Sequence, residues 1–178
     1  METIDQTIAV LARTPAALDA LLRGLPDACT SGNEGPGTWS SSDIVGHLIH
    51  GERTNWIPRA MRILEAGEAS PFEPFDRLAQ QRNNRGRPLG DLLDEFARER
   101  SASLHTLQAL HLQPADLDRR GRHPELGVVT LGQLIASWAA HDLTHLHQLS
   151  RVMAHQLRDE VGPWIAFLGV LRCSAHGA

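Results

Sequence analysis

Apolar residues recur at helical spacing in four long segments of the chain, and runs of turn-forming residues separate these segments. The first segment covers residues 3–23 and contains Thr14 followed by Pro15. A threonine can cap a helix and a proline suits its first turn, so a second start signal lies inside the segment. We therefore expect a bent first helix.

The second segment begins after a loop rich in glycine and proline. Ser40 and Asp43 have the spacing of a capping box, which predicts a helix start at about Ser41. The helical pattern continues to about Gly67, although Pro58 removes one backbone hydrogen bond and should bend the helix. A long connection over residues 69–87 follows, of the kind that covers a site or crosses a bundle.

The third segment predicts a helix over 88–111, and residues 112–129 are expected to form a loop because they are rich in proline and glycine. Thr130 and Gln133 form another capping-box pattern, which opens a fourth helix that reaches about residue 156. A short helix over 164–171 should then pack on the others. No segment predicts a sheet.

These elements predict an all-α protein whose four main helices form a bundle. At 178 residues the chain has the length of one domain, so we expect a single domain over residues 1–178. Side chains on facing helices of a bundle commonly build metal and cofactor sites in its core.

Composition excludes several classes of function. The net charge of −4 gives no basic surface for nucleic acid, so we expect no nucleic-acid partner. Cys29 and Cys173 are the only cysteines, which argues against a disulfide scaffold or a thiolate zinc site and favours the reducing cytoplasm. The sequence has neither a secretion signal nor a long apolar run, and we expect no membrane partner.

Two histidines occupy core positions of the fourth helix. His141 and His145 continue the apolar stripe that includes Trp138. Residues four apart share one face of a helix, so both imidazoles could bind one metal ion. The alternative is a pair of core-edge histidines bonded to polar neighbours. His47 in the second helix is the natural third ligand, although spacing cannot establish that the three converge.

Three separated motifs resemble the DinB/YfiT-like family of metalloenzymes. They are WSSSDIVGHLIHGER over 39–53, FARER over 96–100 and TLGQLIASWAAHDLTHLHQ over 130–148. The resemblance implies a four-helix bundle, often a homodimer, with a divalent metal held by three histidines. His47, His141 and His145 match those ligand positions. It also implies a reaction in which a low-molecular-weight thiol such as bacillithiol or mycothiol attacks an electrophile.

Three neutral histidines would leave a coordination position open, which is typical of a catalytic site. Imidazole suits Zn, Ni, Fe and Cu alike, so three histidines do not select the metal. We expect a divalent ion such as Zn, Ni, Fe or Mn. We expect a metal-dependent enzyme that acts on a small-molecule substrate, either as a thiol transferase or as a hydrolase. The alternatives are a non-catalytic bundle that acts as a sensor or carrier, and a bundle without metal.

Four polar residues are candidates for supporting roles around the metal. Glu52 and Arg100 interrupt apolar stripes, so they should form a buried ion pair, unless Arg100 reaches the cavity and holds a substrate carboxylate. Asp142 could orient an imidazole on another helix, and Gln148 could bond a metal-bound water or lie at the rim. Trp138 is expected to wall the site. His147 is expected at the rim of the site or at the surface. The other histidines are expected at the surface or in satisfied positions: His50, His105, His111, His123, His155 and His176.

Overall fold

Helices dominate the computed structural model, which describes residues 2–76 and 78–173. The helices are α1 (Glu2–Leu11), α2 (Thr14–Leu22), α3 (Asp27–Thr30), α4 (Ser41–Gly51), α5 (Ile57–Ala66), α6 (Ala79–Asn83), α7 (Leu89–Ala109) and α8 (Leu131–His155). In the bundle α1 packs on α8, α2 packs on α7, and α4 contacts both α7 and α8. The predicted all-α four-helix bundle is confirmed.

The first helix is bent as predicted, because α1 and α2 are separate helices joined at residues 12–13. The predicted role of Thr14 as a cap is wrong. No side chain caps α2, and the Thr14 hydroxyl is buried and donates to Asp142 Oδ2 at 2.6 Å. The Thr14 hydroxyl thus bonds a carboxylate of another helix instead of a backbone N–H of its own helix.

The second helix begins with the predicted capping box, in which Ser40 and Asp43 exchange hydrogen bonds. Between α4 and α5 the chain forms a π-helical turn over Glu52–Trp56. Pro58 lies in the first turn of α5. Because proline has no N–H to donate to the preceding turn, the regular α-helical bonding must change here, and the wider turn precedes it.

The capping box of Thr130 and Gln133 also forms as predicted, at the start of α8. The expectation that no sheet forms is wrong. Strands β1 (Arg120–His123) and β2 (Gly127–Thr130) make an antiparallel hairpin, in which Arg120 pairs with Thr130. The strands are too short for an alternating pattern, and β1 contains no apolar side chain, so pairing and packing rather than local propensity stabilise them.

The C-terminal segment consists of two 3-10 turns, Gly162–Phe167 and Gly169–Leu171. Leu171 is buried, whereas Trp164 is 71% exposed and Phe167 is 81% exposed. The expectation that the apolar residues of this segment pack on the bundle therefore holds for Leu171 and is wrong for the two aromatic residues. Among the described residues, no helix combines the length and apolarity needed to cross a bilayer.

The bundle core contains two apolar clusters and a buried polar network. One cluster includes Leu18, Val45, Phe96 and Val152, and the other includes Leu11, Ile63, Leu107 and Trp138. In the polar network, one buried residue from each of the four main helices is linked to the others by hydrogen bonds, and these residues are Thr14, Glu52, Arg100 and Asp142. We call these four residues the polar network.

Candidate metal centre

The structure brings together the three histidines that the sequence singled out. His47 comes from α4, and His141 and His145 come from successive turns of α8. The Nε2 atom of His141 lies 3.0 Å from Nε2 of His47 and 3.1 Å from Nε2 of His145. One nitrogen from each ring therefore points at a common centre, and these three residues form a group with metal-ligand spacing.

Burial favours the neutral form of two imidazoles in this centre, those of His141 and His145. It lowers the pKa of His141 to about 3, and the charges of His145 and Arg100 act in the same direction. Burial also lowers the pKa of His145, while the hydrogen bond to Gln148 opposes this shift. A neutral imidazole has one ring nitrogen with an available lone pair, which is the form that binds metals.

Gln148 fixes which nitrogen of His145 carries the proton. Its Oε1 lies 2.8 Å from Nδ1 of His145, and a carbonyl oxygen can only accept, so Nδ1–H is the donor. The lone pair of His145 is then on Nε2, which faces the centre. Orientation by an outer hydrogen bond is the usual arrangement for a metal-binding histidine.

Aromatic rings pack around the three imidazoles. Trp39 lies 4.8 Å from His47 between ring centroids, and Trp56 meets the His141 ring edge-on at 5.1 Å. The expectation that Trp138 walls the site is wrong, because Trp138 stacks behind Trp56 at 5.7 Å. Trp56, which lies in the π-helical turn of the second helix, forms this wall instead.

The centre opens into a cavity of about 330 Å³. Its lining includes Gly51, Asn55 and Arg59 from the second helix, Phe75 from the long connection, His123 and Glu125 from the hairpin, and Thr144, His147 and Gln148 from α8. His147, which is expected at the rim or the surface, therefore lies on the cavity wall, and so does His123, which no sequence pattern placed there. His176 lies outside the described residues.

The donor set fits a divalent metal. An ion bound tetrahedrally by ring nitrogens at about 2.0–2.1 Å would separate those nitrogens by about 3.3 Å, close to the 3.0 Å between His47 and His141 and the 3.1 Å between His141 and His145. When all three Nε2 atoms carry lone pairs, these repel one another unless a cation lies between them. The geometry therefore suits a divalent ion with three nitrogen ligands and a further position on the cavity side.

Arg100 points into the core and not into the cavity. It is 1% exposed, and its Nη2 donates to Glu52 Oε1 at 2.8 Å. The guanidinium also donates to Asp142 and to the backbone oxygen of Leu11. Glu52 and Arg100 thus form the expected ion pair, and Arg100 has no side-chain contact with the cavity.

Asp142 lies beside His141 in the chain, but its partners belong to the polar network. Its carboxylate accepts from Arg100 and from Thr14, so among the described residues it is an anchor of Arg100 rather than a hydrogen-bond partner of an imidazole. Its charge still acts on His145, where it opposes, without cancelling, the lowering of the pKa by burial.

Asn55 and Arg59 line the cavity without having been predicted as wall residues. A partial signal was present, since His47, Gly51, Asn55 and Arg59 follow one another at four-residue intervals. Successive residues at this spacing are neighbours on a helix face, and the π-helical turn keeps the four on one wall. The contribution of Phe75 and the hairpin depends on tertiary packing and has no such signal.

Comparisons with known proteins agree with this architecture. Residues 10–149 match the family model described as the DinB superfamily. Over 123 residues the chain is 25% identical to a protein of Oceanobacillus iheyensis whose name presents it as a candidate metal-dependent hydrolase. That match covers 64% of this chain and spans 64% of the relative's length.

A solved structure resembles the fold. It is YfiT from Bacillus subtilis, described as a probable metal-dependent hydrolase with an unusual four-helix bundle topology. The TM-score is 0.67 at 23% identity, and the likeness covers 86% of this chain and 89% of the other. At this identity the likeness supports the bundle fold.

Proposed function

The chain belongs to the DinB superfamily, and on that premise we propose that it is a metal-dependent enzyme with one divalent ion bound by His47, His141 and His145. The observation that carries the proposal is the convergence of three Nε2 atoms at the end of a cavity. The names of the Oceanobacillus relative and of YfiT add support, since both refer to metal-dependent hydrolysis.

A divalent metal in this position would supply Lewis acidity and lower the pKa of a bound water or thiol. The protein contributes the rest of the site. Gln148 holds the tautomer of His145, and Trp39 and Trp56 exclude water from the sides of the imidazoles. The substrate would enter from the cavity, where Phe75 and the hairpin limit its size.

Hydrolysis of a small substrate is the reaction that the relatives' names favour. Thiol transfer is the second candidate, because three neutral ligands leave a site that accepts an anionic thiolate as readily as water. The donor would be a low-molecular-weight thiol such as bacillithiol or mycothiol. Both reactions use the same open position, so binding of the thiol distinguishes them.

Metal content tests the ligand assignment. Protein without a histidine tag is loaded with Zn, Ni, Fe or Mn, and the bound metal is measured by elemental mass spectrometry. We expect about one ion per chain, lost in His47→Ala, His141→Ala and His145→Ala. His147→Ala is the matched control, since His147 lies on the same cavity wall outside the ligand group. A wild-type protein that binds none of these metals would refute the assignment.

Cobalt-loaded protein separates the two reactions and the non-catalytic alternative. Binding of a thiol at the metal gives a sulfur-to-cobalt charge-transfer band in the near ultraviolet. That band together with turnover of an electrophile supports thiol transfer, whereas turnover of esters or amides without the band supports hydrolysis. A loaded site that binds small molecules without turnover supports a sensor or carrier.

The homodimer, the cytoplasmic location and the single domain stay predictions. Light scattering in solution tests the homodimer.

A further inference from the structure

One wall of the cavity is a single stripe of the second helix. His47, Gly51, Asn55 and Arg59 all line it. His47 marks the metal end and Arg59 the far end, with Cα atoms roughly 18 Å apart along the axis at 1.5 Å per residue. The long arginine side chain shortens this span, because helical side chains lean toward the N terminus.

Arg59 is fixed in place by the long connection between α5 and α7. Its guanidinium lies over the Phe72 ring at 5.0 Å from the centroid, and its Nη2 donates to the Glu73 backbone oxygen at 3.1 Å. Neither contact neutralises its charge. A guanidinium has five N–H donors, so donors remain for a bound molecule.

Among the described residues, no carboxylate forms an ion pair with Arg59, although eleven such pairs are present there. The comparison with Arg151, which also lines the cavity, is informative. Arg151 is 3% exposed and both of its contacting nitrogens bind the Glu34 carboxylate. Arg151 is therefore neutralised within the protein, whereas half-buried Arg59 is a cation on the cavity wall that no carboxylate of the described residues contacts, Glu125 being the acidic residue that shares the cavity.

Two further observations agree with a polar bound molecule at this wall of the cavity. Burial lowers the pKa of Arg59, and the charge of Glu125 opposes this shift without cancelling it. Asn55, one turn nearer His47, is 9% exposed, and its buried Oδ1 has no hydrogen-bond donor among the described residues. A polar group of a bound molecule could donate to it.

We propose that Arg59 is a specificity-determining residue that binds an anionic group of the substrate, a carboxylate being the simplest, while the reacting group lies at the histidine end. This inference rests on the proposed metal centre for the position of the reacting group. The substrate class is thus a small molecule with a reactive group at one end and an anion at the other. The guanidinium would hold that anion with two parallel hydrogen bonds.

Paired hydroxamates test the proposal on metal-loaded protein. A hydroxamate chelates the metal, and the far end of its chain carries either a carboxylate or a methyl group. The monohydroxamates of adipic, suberic and sebacic acids are compared by calorimetry with hexano-, octano- and decanohydroxamic acid. We expect the carboxylate to improve the Kd about tenfold at the chain length that reaches Arg59, as for a partly desolvated ion pair.

Arg59→Gln should reduce this preference to about one, and Arg59→Lys should reduce it several-fold because lysine lacks the planar fork. Arg62→Gln is the matched control. Arg62 lies on the same helix and also contacts the long connection, through Ser70 and Pro71, but does not line the cavity. The proposal is overturned by a wild-type preference near one at every length, or by a preference that Arg59→Gln and Arg59→Lys leave unchanged.

A second experiment tests anion binding by Arg59 in metal-free protein. Saturation-transfer NMR compares octanoate with octanamide, which has the same chain without charge. Stronger binding of octanoate by the wild type than by Arg59→Gln supports the anion site. If metal loading fails at the same time, only the proposed metal-dependent function is refuted and the anion site is retained. Equal binding of the two compounds by wild-type protein counts against Arg59.

Discussion

The carboxylate of Asp142 binds the guanidinium of Arg100 through both oxygens, at 2.6 and 3.0 Å, one residue along the chain from His141. The backbone that presents His141 to the cavity therefore also presents an anchor to the core. Because Asp142 has 0% exposure and Arg100 has 1%, water cannot replace either partner.

Asp142→Asn should destabilise the fold strongly. An asparagine amide has one acceptor oxygen and would direct an N–H group at the donors of Arg100, so about 3 kcal/mol of unfolding free energy should be lost. Urea unfolding followed by tryptophan fluorescence measures this. Thr14→Val, which removes a neutral donor from the same carboxylate, should lose only about 1 kcal/mol. Equal losses in the two variants would contradict the assignment of Asp142 as the anchor.

Gln148→Leu should weaken metal binding by about 10–100-fold while leaving the fold intact. Without the Gln148 carbonyl, nothing described in the structure holds the proton of His145 on Nδ1. Competition with a chromophoric chelator gives the metal Kd. Gln148→Glu should retain affinity because its carboxylate accepts the same hydrogen bond. Thr144→Ala is the control, since its hydroxyl donates to the Ala140 backbone oxygen and not to an imidazole.

Glu95 should make stability depend on acid pH. The hydrogen bond from Arg87 lowers the pKa of Glu95, the charges of Arg53 and Arg87 add to this shift, and burial opposes it. Since its folded-state pKa lies below its ordinary value of 4.5, the stabilisation is complete above about pH 4.5 and is lost as the pH falls through the folded-state value.

Glu95→Gln should therefore lower the unfolding free energy by about 1 kcal/mol at pH 7. Urea midpoints of wild type and variant should approach each other as the pH falls from 7 to 3. Arg87→Gln removes the Arg87 contact from the other side, so the double variant should be little worse than Glu95→Gln alone, which already loses this contact and the one with Arg53. Fully additive losses would show that the pair is not coupled.

Gly121→Ala should destabilise the hairpin. A Cβ at this position would lie 2.6 Å from Cγ1 of Ile63 and 3.1 Å from Cζ of Phe72. Both neighbours belong to the packed core, so about 2 kcal/mol of overpacking is expected. Val128→Ala, at a half-exposed position of the facing strand, is the control and should change thermal unfolding little. If Gly121→Ala has wild-type stability, the hairpin is not packed as described.

Helices and caps were readable from the sequence because their signals are local. The two capping boxes, at Ser40 and at Thr130, formed where their spacing placed them, and the break before Thr14 was marked by Pro15. The use of the Thr14 side chain was not readable, since its partner is 128 residues away. Only the packed bundle decides which partner such a hydroxyl finds.

The convergence of the histidines illustrates the same limit. The four-residue spacing of His141 and His145 placed them on one face, but the approach of His47 depends on how α4 is aligned with α8. Family resemblance supplied that expectation, and periodicity did not. The hairpin was missed because β1 is a four-residue strand of polar residues and glycine, which has no pattern to detect.

The π-helical turn over Glu52–Trp56 has a consequence for the spacing between the two ends of the cavity. In an uninterrupted α-helix, residues twelve apart differ by about 120° in direction, so Arg59 would turn away from the wall that His47 faces. A wider turn rotates the chain less per residue and reduces this difference. If residues 52–56 adopted regular α-helical geometry instead, everything beyond them would rotate by about 100°, taking Arg59 off the wall and Ala60 and Ile63 out of the core. The winding of this helix, as much as its composition, therefore determines what the cavity can recognise.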